Sequence, residues 1–139
     1  MALINYITQV QFGLGKIKTL QEECTKLGIK NPPIVTDAGI RNAGLLDSVQ
    51  QQLTTPAAVF DQTPPNPNEA AVRAAVTHYQ EHACDGIIAL GGGSAIDLAK
   101  GVAVCAAHPG PLRQFAVRAQ GIANSHLDDP SIARLVQQP

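Results

Sequence analysis

The stretch Gly91-Gly92-Gly93-Ser94, followed by Asp97 and Lys100, has the residue types needed to hold a phosphate. Glycines let the backbone approach a ligand closely, and a helix opening directly after them aims unpaired amides at it. The helix dipole and the Ser94 hydroxyl would strengthen the attraction for a pyrophosphate. Asp97 falls in the first turns, where a carboxylate can also hold the loop by capping free amides. An ordinary strand-to-helix turn needs only one glycine, and each further one adds chain entropy that folding must remove. The loop fits neither common phosphate signature: no Lys-Ser or Lys-Thr pair follows the last glycine, and the spacing is not Gly-x-Gly-x-x-Gly. Asp37 directly follows the short apolar run Ile34-Val35-Thr36 and is a second candidate. A carboxylate at that position can accept hydrogen bonds from an adenosine ribose and repel a 2′-phosphate, which favours NAD over NADP. A turn or capping aspartate is the alternative reading.

Other reactive side chains lead less far. His78-Tyr79-Gln80-Glu81-His82 matches the H-x-x-E-H pattern of inverted zinc peptidases. A catalytic zinc needs a third protein ligand and an open coordination position, and Val72, Val76 and Tyr79 commit this segment to packing. A partly solvated helix face is therefore expected. Cys24, Cys84 and Cys105 are odd in number, widely separated and without C-x-x-C spacing, so they read as small buried apolar residues. Gly13-Leu14-Gly15 has two glycines of a dinucleotide fingerprint and reads as a turn into a helix. No G-x-S-x-G elbow occurs, and no complete catalytic constellation is present.

The elements that must position these residues follow from periodicity. Residues 4–12 alternate loosely and suggest a half-buried strand. From Lys16, the apolar positions Ile17, Leu20, Cys24 and Leu27 form one helix face closed by Gly28. Residues 34–36 and 57–60 are short buried strands. Residues 40–53 form a helix with Leu45, Leu46, Val49 and Leu53 inward. Three prolines within residues 62–67 impose a rigid loop. A further helix runs from about Glu69, capped by Asn68, with Val72, Val76, Tyr79 and Ala83 inward. Residues 87–90 are the clearest buried strand, and 96–106 a helix rich in Ala and Val. Strand and helix thus alternate, which predicts an α/β fold: a Rossmann-like parallel sheet with helices on both faces and binding at the carboxyl ends of its strands. A helix-like stretch over 112–123 and a polar end follow without a returning strand.

Composition narrows the function. The 139 residues carry 10 Lys plus Arg against 11 Asp plus Glu, with 45% hydrophobic residues, so a core can form and no basic stripe exists for a nucleic acid. No apolar run is long enough for a membrane span, and the N-terminus shows no secretory signal, which makes the cytoplasm the expected compartment.

Phe12-Gly13-Leu14-Gly15, Val35-Thr36-Asp37-Ala38-Gly39, Pro65-Asn66-Pro67 and Gly91-Gly92-Gly93-Ser94-Ala95-Ile96-Asp97-Leu98-Ala99-Lys100 resemble, in order, the N-terminal half of the iron-containing alcohol dehydrogenases, over about residues 6–112. The resemblance implies a dehydroquinate synthase-like N-terminal domain that binds NAD, with NADP the lesser expectation. It further implies that Gly92, Gly93 and Ser94 contact the pyrophosphate, Asp37 the ribose, and Asn66 the cofactor cleft, while Asp97 supports the glycine loop. In that family a helical C-terminal domain holds iron or zinc through one Asp and three His. Here no Thr follows Thr77, so the threonine-rich loop that completes the family's nucleotide site is missing. His126, Asp128 and Asp129 sit in a segment without the family's metal motif. The resemblance thus implies a cofactor domain over 1–112, a divergent tail over 113–139, no metal-binding domain, and a chain that is catalytically silent alone. Two alternatives stay open: a non-enzymatic module that self-associates into a homo-oligomer through an exposed apolar face, and a fragment of a glycerol dehydrogenase-like enzyme.

Overall fold

A computed structural model describes residues 9–108, 110 and 112. A 3-10 turn, Lys16–Thr19, leads into α1 (Leu20–Lys26). There follow β1 (Ile34–Val35), α2 (Ala38–Asn42), α3 (Leu45–Gln50), β2 (Val59–Phe60), α4 (Glu69–Glu81), β3 (Ile88–Ala89) and α5 (Gly93–Ala107). The three strands form a parallel sheet in the order β2-β1-β3, with Ile34 opposite Val59 and Ile88, and Val35 opposite Phe60 and Ala89.

Successive strand residues face opposite sides, and each side has its own helices. Ile34 and Ile88 pack with Cys24, Leu46 and Val49 from α1 and α3. Val35, Phe60 and Ile87 pack with Val72 and Val76 of α4 and with Leu98 and Val102 of α5. Both faces are therefore covered, as the near-continuous apolar strands require. The result is the expected Rossmann-like α/β sheet with flanking helices.

Local signals place the helix ends. Asn68 caps α4 by accepting from the Ala71 amide at 2.9 Å, and Gly28 closes the first helix at φ 71°. The helix predicted over 40–53 is divided. Gly44 adopts φ 76° between α2 and α3, a left-handed conformation that ends the first helix and lets the second start in a new direction. Leu45 is exposed as a result, while Leu46 and Val49 remain inward.

Other expectations shift as well. Residues 9–12 are not a strand, and Val10 and Phe12 are exposed; residues 4–8 lie outside the described residues. Ile17 belongs to the 3-10 turn and is partly exposed, because that tighter winding rotates it off the face of Leu20 and Cys24. Ala83 lies beyond the end of α4 at φ 48° and is exposed, so the inward stripe runs through Val72, Ala75 and Val76. The last helix begins at Gly93 and so takes two of the glycine-loop residues, Gly93 and Ser94, into its first turn. The tail and the helix expected over 112–123 lie outside the described residues, apart from Leu112. Among the described residues, no helix is long and apolar enough to cross a membrane.

Candidate functional site

Two parallel strands bring the candidate residues together. Beyond the end of β1, Thr36 is fully buried; its amide donates to Phe60 O at 2.8 Å and its hydroxyl to Leu90 O at 2.7 Å. One residue thus ties the carboxyl ends of all three strands, and its neighbours Asp37 and Gly91 meet there. Asp37 caps α2, with Oδ1 accepting from the Ile40 amide at 2.9 Å. Its second oxygen, Oδ2, lies 3.4 Å from where a Cβ on Gly91 would stand. The capping role proposed as the ordinary alternative is therefore real, and it leaves the other carboxylate oxygen beside the glycine loop.

The loop is shaped by its first glycine. Gly91 adopts φ 144°, and a Cβ there would also come within 3.2 Å of Ala95 Cβ. Gly92 and Gly93 differ: a Cβ at either meets nothing within 4 Å, so both border open space. Ile96 N makes the first helical bond, to Gly92 O at 3.2 Å. The amides of Gly93, Ser94 and Ala95 consequently have no preceding carbonyl of their own helix to bond, and no side chain caps them. Uncapped donors, the positive end of a fifteen-residue helix and open space beside them fit a phosphate group.

The proline segment is held over this loop. Ser94 Oγ donates to Pro65 O at 2.5 Å, and Thr63 N reaches Thr36 O at 3.4 Å. Asn66, next to Pro65, is exposed. Asp37 and Asn66 thus stand on the segments after β1 and β2, and Gly92, Gly93 and Ser94 on the loop after β3 and the first turn of α5. Asp97 is placed differently. Its side chain is 68% exposed and 3.8 Å from Lys100 Nζ, one turn along α5. It makes no capping bond, since the helix has already started four residues before it. Sequence reasoning passed over two residues: Thr36, which reads as a strand residue, and Arg41, whose guanidinium bonds Asp61 across from β2. Thr36 carries a signal only in hindsight, as a hydroxyl inside an apolar run.

The remaining candidates are structural. His82 Nδ1 donates to His78 O at 2.8 Å, the two rings stack at 4.2 Å, and His78 packs edge-on to Phe60. Burial and the neighbouring His82 lower the His78 pKa from its ordinary value. Among the described residues, no group of three His, Cys, Asp or Glu side chains could hold a metal, so neither iron nor zinc fits them. All three cysteines are free, Cys24 and Cys105 are buried and Cys84 partly so. Burial raises each thiol's pKa, which disfavours a nucleophilic thiolate. A cavity of about 250 Å³ lies between α1 and β3, lined by Leu20, Cys24, Ile87 and Ile88 among others, and none of the candidate residues borders it.

Fold and loop define the class: a Rossmann-like α/β unit with a glycine loop opening its last helix. Residues 8–135 match the family pattern of the iron-containing alcohol dehydrogenases. Over 124 residues the chain is 44% identical to the 4-hydroxybutyrate dehydrogenase of Cupriavidus necator, covering 88% of this chain and 32% of that protein. It is 36% identical over 110 residues to the 1,3-propanediol dehydrogenase of Klebsiella pneumoniae, covering 76% and 28% respectively. The solved NADH-dependent butanol dehydrogenase A of Thermotoga maritima superposes with a TM-score of 0.77 at 26% identity, over 88% of this chain and 32% of that one. The chain belongs to the iron-containing alcohol dehydrogenases. It spans about three tenths of the length of these curated relatives.

Proposed function

We propose that this chain supplies the dinucleotide-binding part of an alcohol dehydrogenase, with NAD as its cofactor. The observation that carries the proposal is the convergence, at the ends of β1 and β3, of the Asp37 carboxylate with a glycine loop whose Gly92 and Gly93 border open space. In this reading the amides of Gly93, Ser94 and Ala95 hold the pyrophosphate, Asp37 Oδ2 accepts from the ribose, and Asn66 closes the cleft from the proline segment. A bound nicotinamide dinucleotide supplies a hydride acceptor or donor for an alcohol and its aldehyde. The NADH dependence in the name of the Thermotoga relative supports the choice of cofactor, as does a free carboxylate oxygen where a 2′-phosphate would carry charge.

The protein's own contribution is binding and orientation. The described residues do not fit iron or zinc. The 139-residue chain assayed alone is expected to bind cofactor and to turn over no alcohol. Domain limits at about residue 112, with the remaining residues a separate segment, belong to the same proposal.

The test is a titration of the purified chain with NADH, followed by nicotinamide fluorescence and by thermal stability. Asp37→Ala and Gly93→Val serve as controls. Gly93 takes a side chain into open space without meeting the protein, so valine there should spare the fold and block the ligand. Binding to the parent chain, lost in both folded variants, supports the cofactor site. A second reading, self-association, draws on the exposed Val10, Phe12 and Leu14. Oligomers in a chain that is folded yet indifferent to NADH would put that reading first.

A further inference from the structure

Arg41 and Asp61 form an ion pair that the cofactor-binding reading does not use. Its position is specific. Arg41 lies one helical turn beyond Asp37, its amide bonded to Asp37 O at 3.1 Å. Asp61 directly follows Phe60, the partner of Val35 in the sheet register, so Asp61 and Asp37 leave adjacent strands at the same edge. The Arg41 guanidinium crosses from α2 to Asp61 and remains 62% exposed, while the Asp61 side chain is 23% exposed. The carboxyl ends of β1 and β2 therefore hold two carboxylates and one guanidinium, and the guanidinium is committed to the carboxylate farther along the sheet from the glycine loop.

We propose that this pair is a second determinant of cofactor choice: Asp61 occupies the cation that would otherwise receive a 2′-phosphate. The proposal rests on the reading that places the adenosine ribose at Asp37. An arginine near that ribose is the residue type that accommodates a 2′-phosphate, because its planar fork pairs with phosphate oxygens. Here the same fork faces Asp61. With Asp37, Asp61 and Arg41 all ionised, the local charge is one negative unit, and an incoming 2′-phosphate adds nearly two more. Replacing Asp61 by asparagine removes one negative charge, keeps the side-chain volume and frees the guanidinium. Replacing Arg41 breaks the same pair and leaves both carboxylates unopposed. A mere brace between α2 and the proline segment would respond alike to either break. A determinant of specificity responds in opposite directions.

The experiment is a titration of the full chain and of Asp61→Asn, Arg41→Ala and the double variant with NADH and, separately, NADPH, with circular dichroism confirming the fold of each. Asp61→Asn should tighten NADPH binding by about five- to ten-fold while NADH affinity changes by less than about two-fold. Arg41→Ala should weaken NADPH binding, and in the double variant the gain should disappear. Equal loss for both dinucleotides in both single variants would make the pair a brace and overturn the proposal. So would an unchanged NADPH affinity in Asp61→Asn when NADH still binds. A parent chain that is folded and binds neither dinucleotide defeats the underlying cofactor reading, and this inference with it.

Discussion

Asp37 Oδ2 lies 3.4 Å from the position a Cβ on Gly91 would take, although 54 residues separate the two in the chain. Parallel pairing of β1 and β3 brings their ends level, and the Thr36 hydroxyl locks them there through Leu90. The carboxylate and the glycine loop are thus parts of one site because a sheet register makes them so. A site assembled in this way is sensitive to the conformation of its first glycine more than to the open space beyond it.

Gly91→Ala tests that dependence. At φ 144° a side chain is strained by roughly 1–3 kcal/mol, and the new Cβ would press on Ala95 and fill the space beside the Asp37 carboxylate. The expected outcome is a lower midpoint in thermal denaturation together with NADH affinity reduced by about ten-fold or more. Gly92→Ala is the contrast, because its Cβ meets nothing within 4 Å and its φ of −83° suits alanine. It should leave the melting temperature within a degree or so of the parent. If both variants melt alike, the strained turn is not what shapes the loop.

Thr36→Val separates the lock from the packing. The side chain is fully buried and valine keeps its shape, so the change removes chiefly the bond to Leu90 O. Leaving this part-buried carbonyl without that partner costs about 1–3 kcal/mol, which urea denaturation measured at equilibrium should report as lost stability. Thr36→Ser keeps the hydroxyl and should lose less. Serine as damaging as valine would show that the methyl, rather than the hydrogen bond, holds the strand ends.

Much of this arrangement was legible in the sequence. Short β-branched runs such as Ile34-Val35 announced buried parallel strands, Asn68 announced a helix start, and the glycine run announced the loop. Gly44 was not legible as a break, because an isolated glycine inside an apolar periodicity is compatible with a continuing helix and only its φ decides. The capping of free amides offered for Asp97 was not decidable there for a related reason. Sequence gives its distance from the glycines, but the capping geometry depends on where the helix begins, and α5 begins at Gly93. The Arg41–Asp61 pair required the register of β1 against β2, which no local pattern contains.

Ser94→Ala probes the strap over the loop. The Ser94 hydroxyl ties the glycine loop to Pro65 O, and Pro65 itself is exposed, so water can replace the lost donor. Global stability should therefore change by about 1 kcal/mol or less. Cofactor binding should suffer more: with the proline segment released, Asn66 is no longer held near the loop, and NADH affinity is expected to fall by about three- to ten-fold, a loss of the order of one hydrogen bond. Fluorescence titration checks the affinity and urea denaturation the stability. A large stability loss with unchanged affinity would make Ser94 a folding residue only.

His78 should make stability depend on pH. Its ring lies between Phe60 and His82, with Nε2 buried and without a hydrogen-bond partner, and burial followed by the charge of His82 lowers its pKa, while Glu81 and Asp61 act in the opposite direction. A histidine whose folded pKa lies below its unfolded value stays neutral in the native state while the unfolded chain takes up the proton. Its contribution is therefore complete above the ordinary histidine pKa of about 6.5 and declines as pH falls from there toward the lowered folded value. Denaturation of the parent chain should show stability falling as the pH drops from about 7 to 5, and His78→Phe, which keeps an aromatic ring against Phe60, should flatten that slope. Proton titration of the imidazoles by NMR would confirm the source: His78 should titrate at lower pH than a histidine in the unfolded chain. A slope unchanged in His78→Phe would assign the pH dependence to other groups.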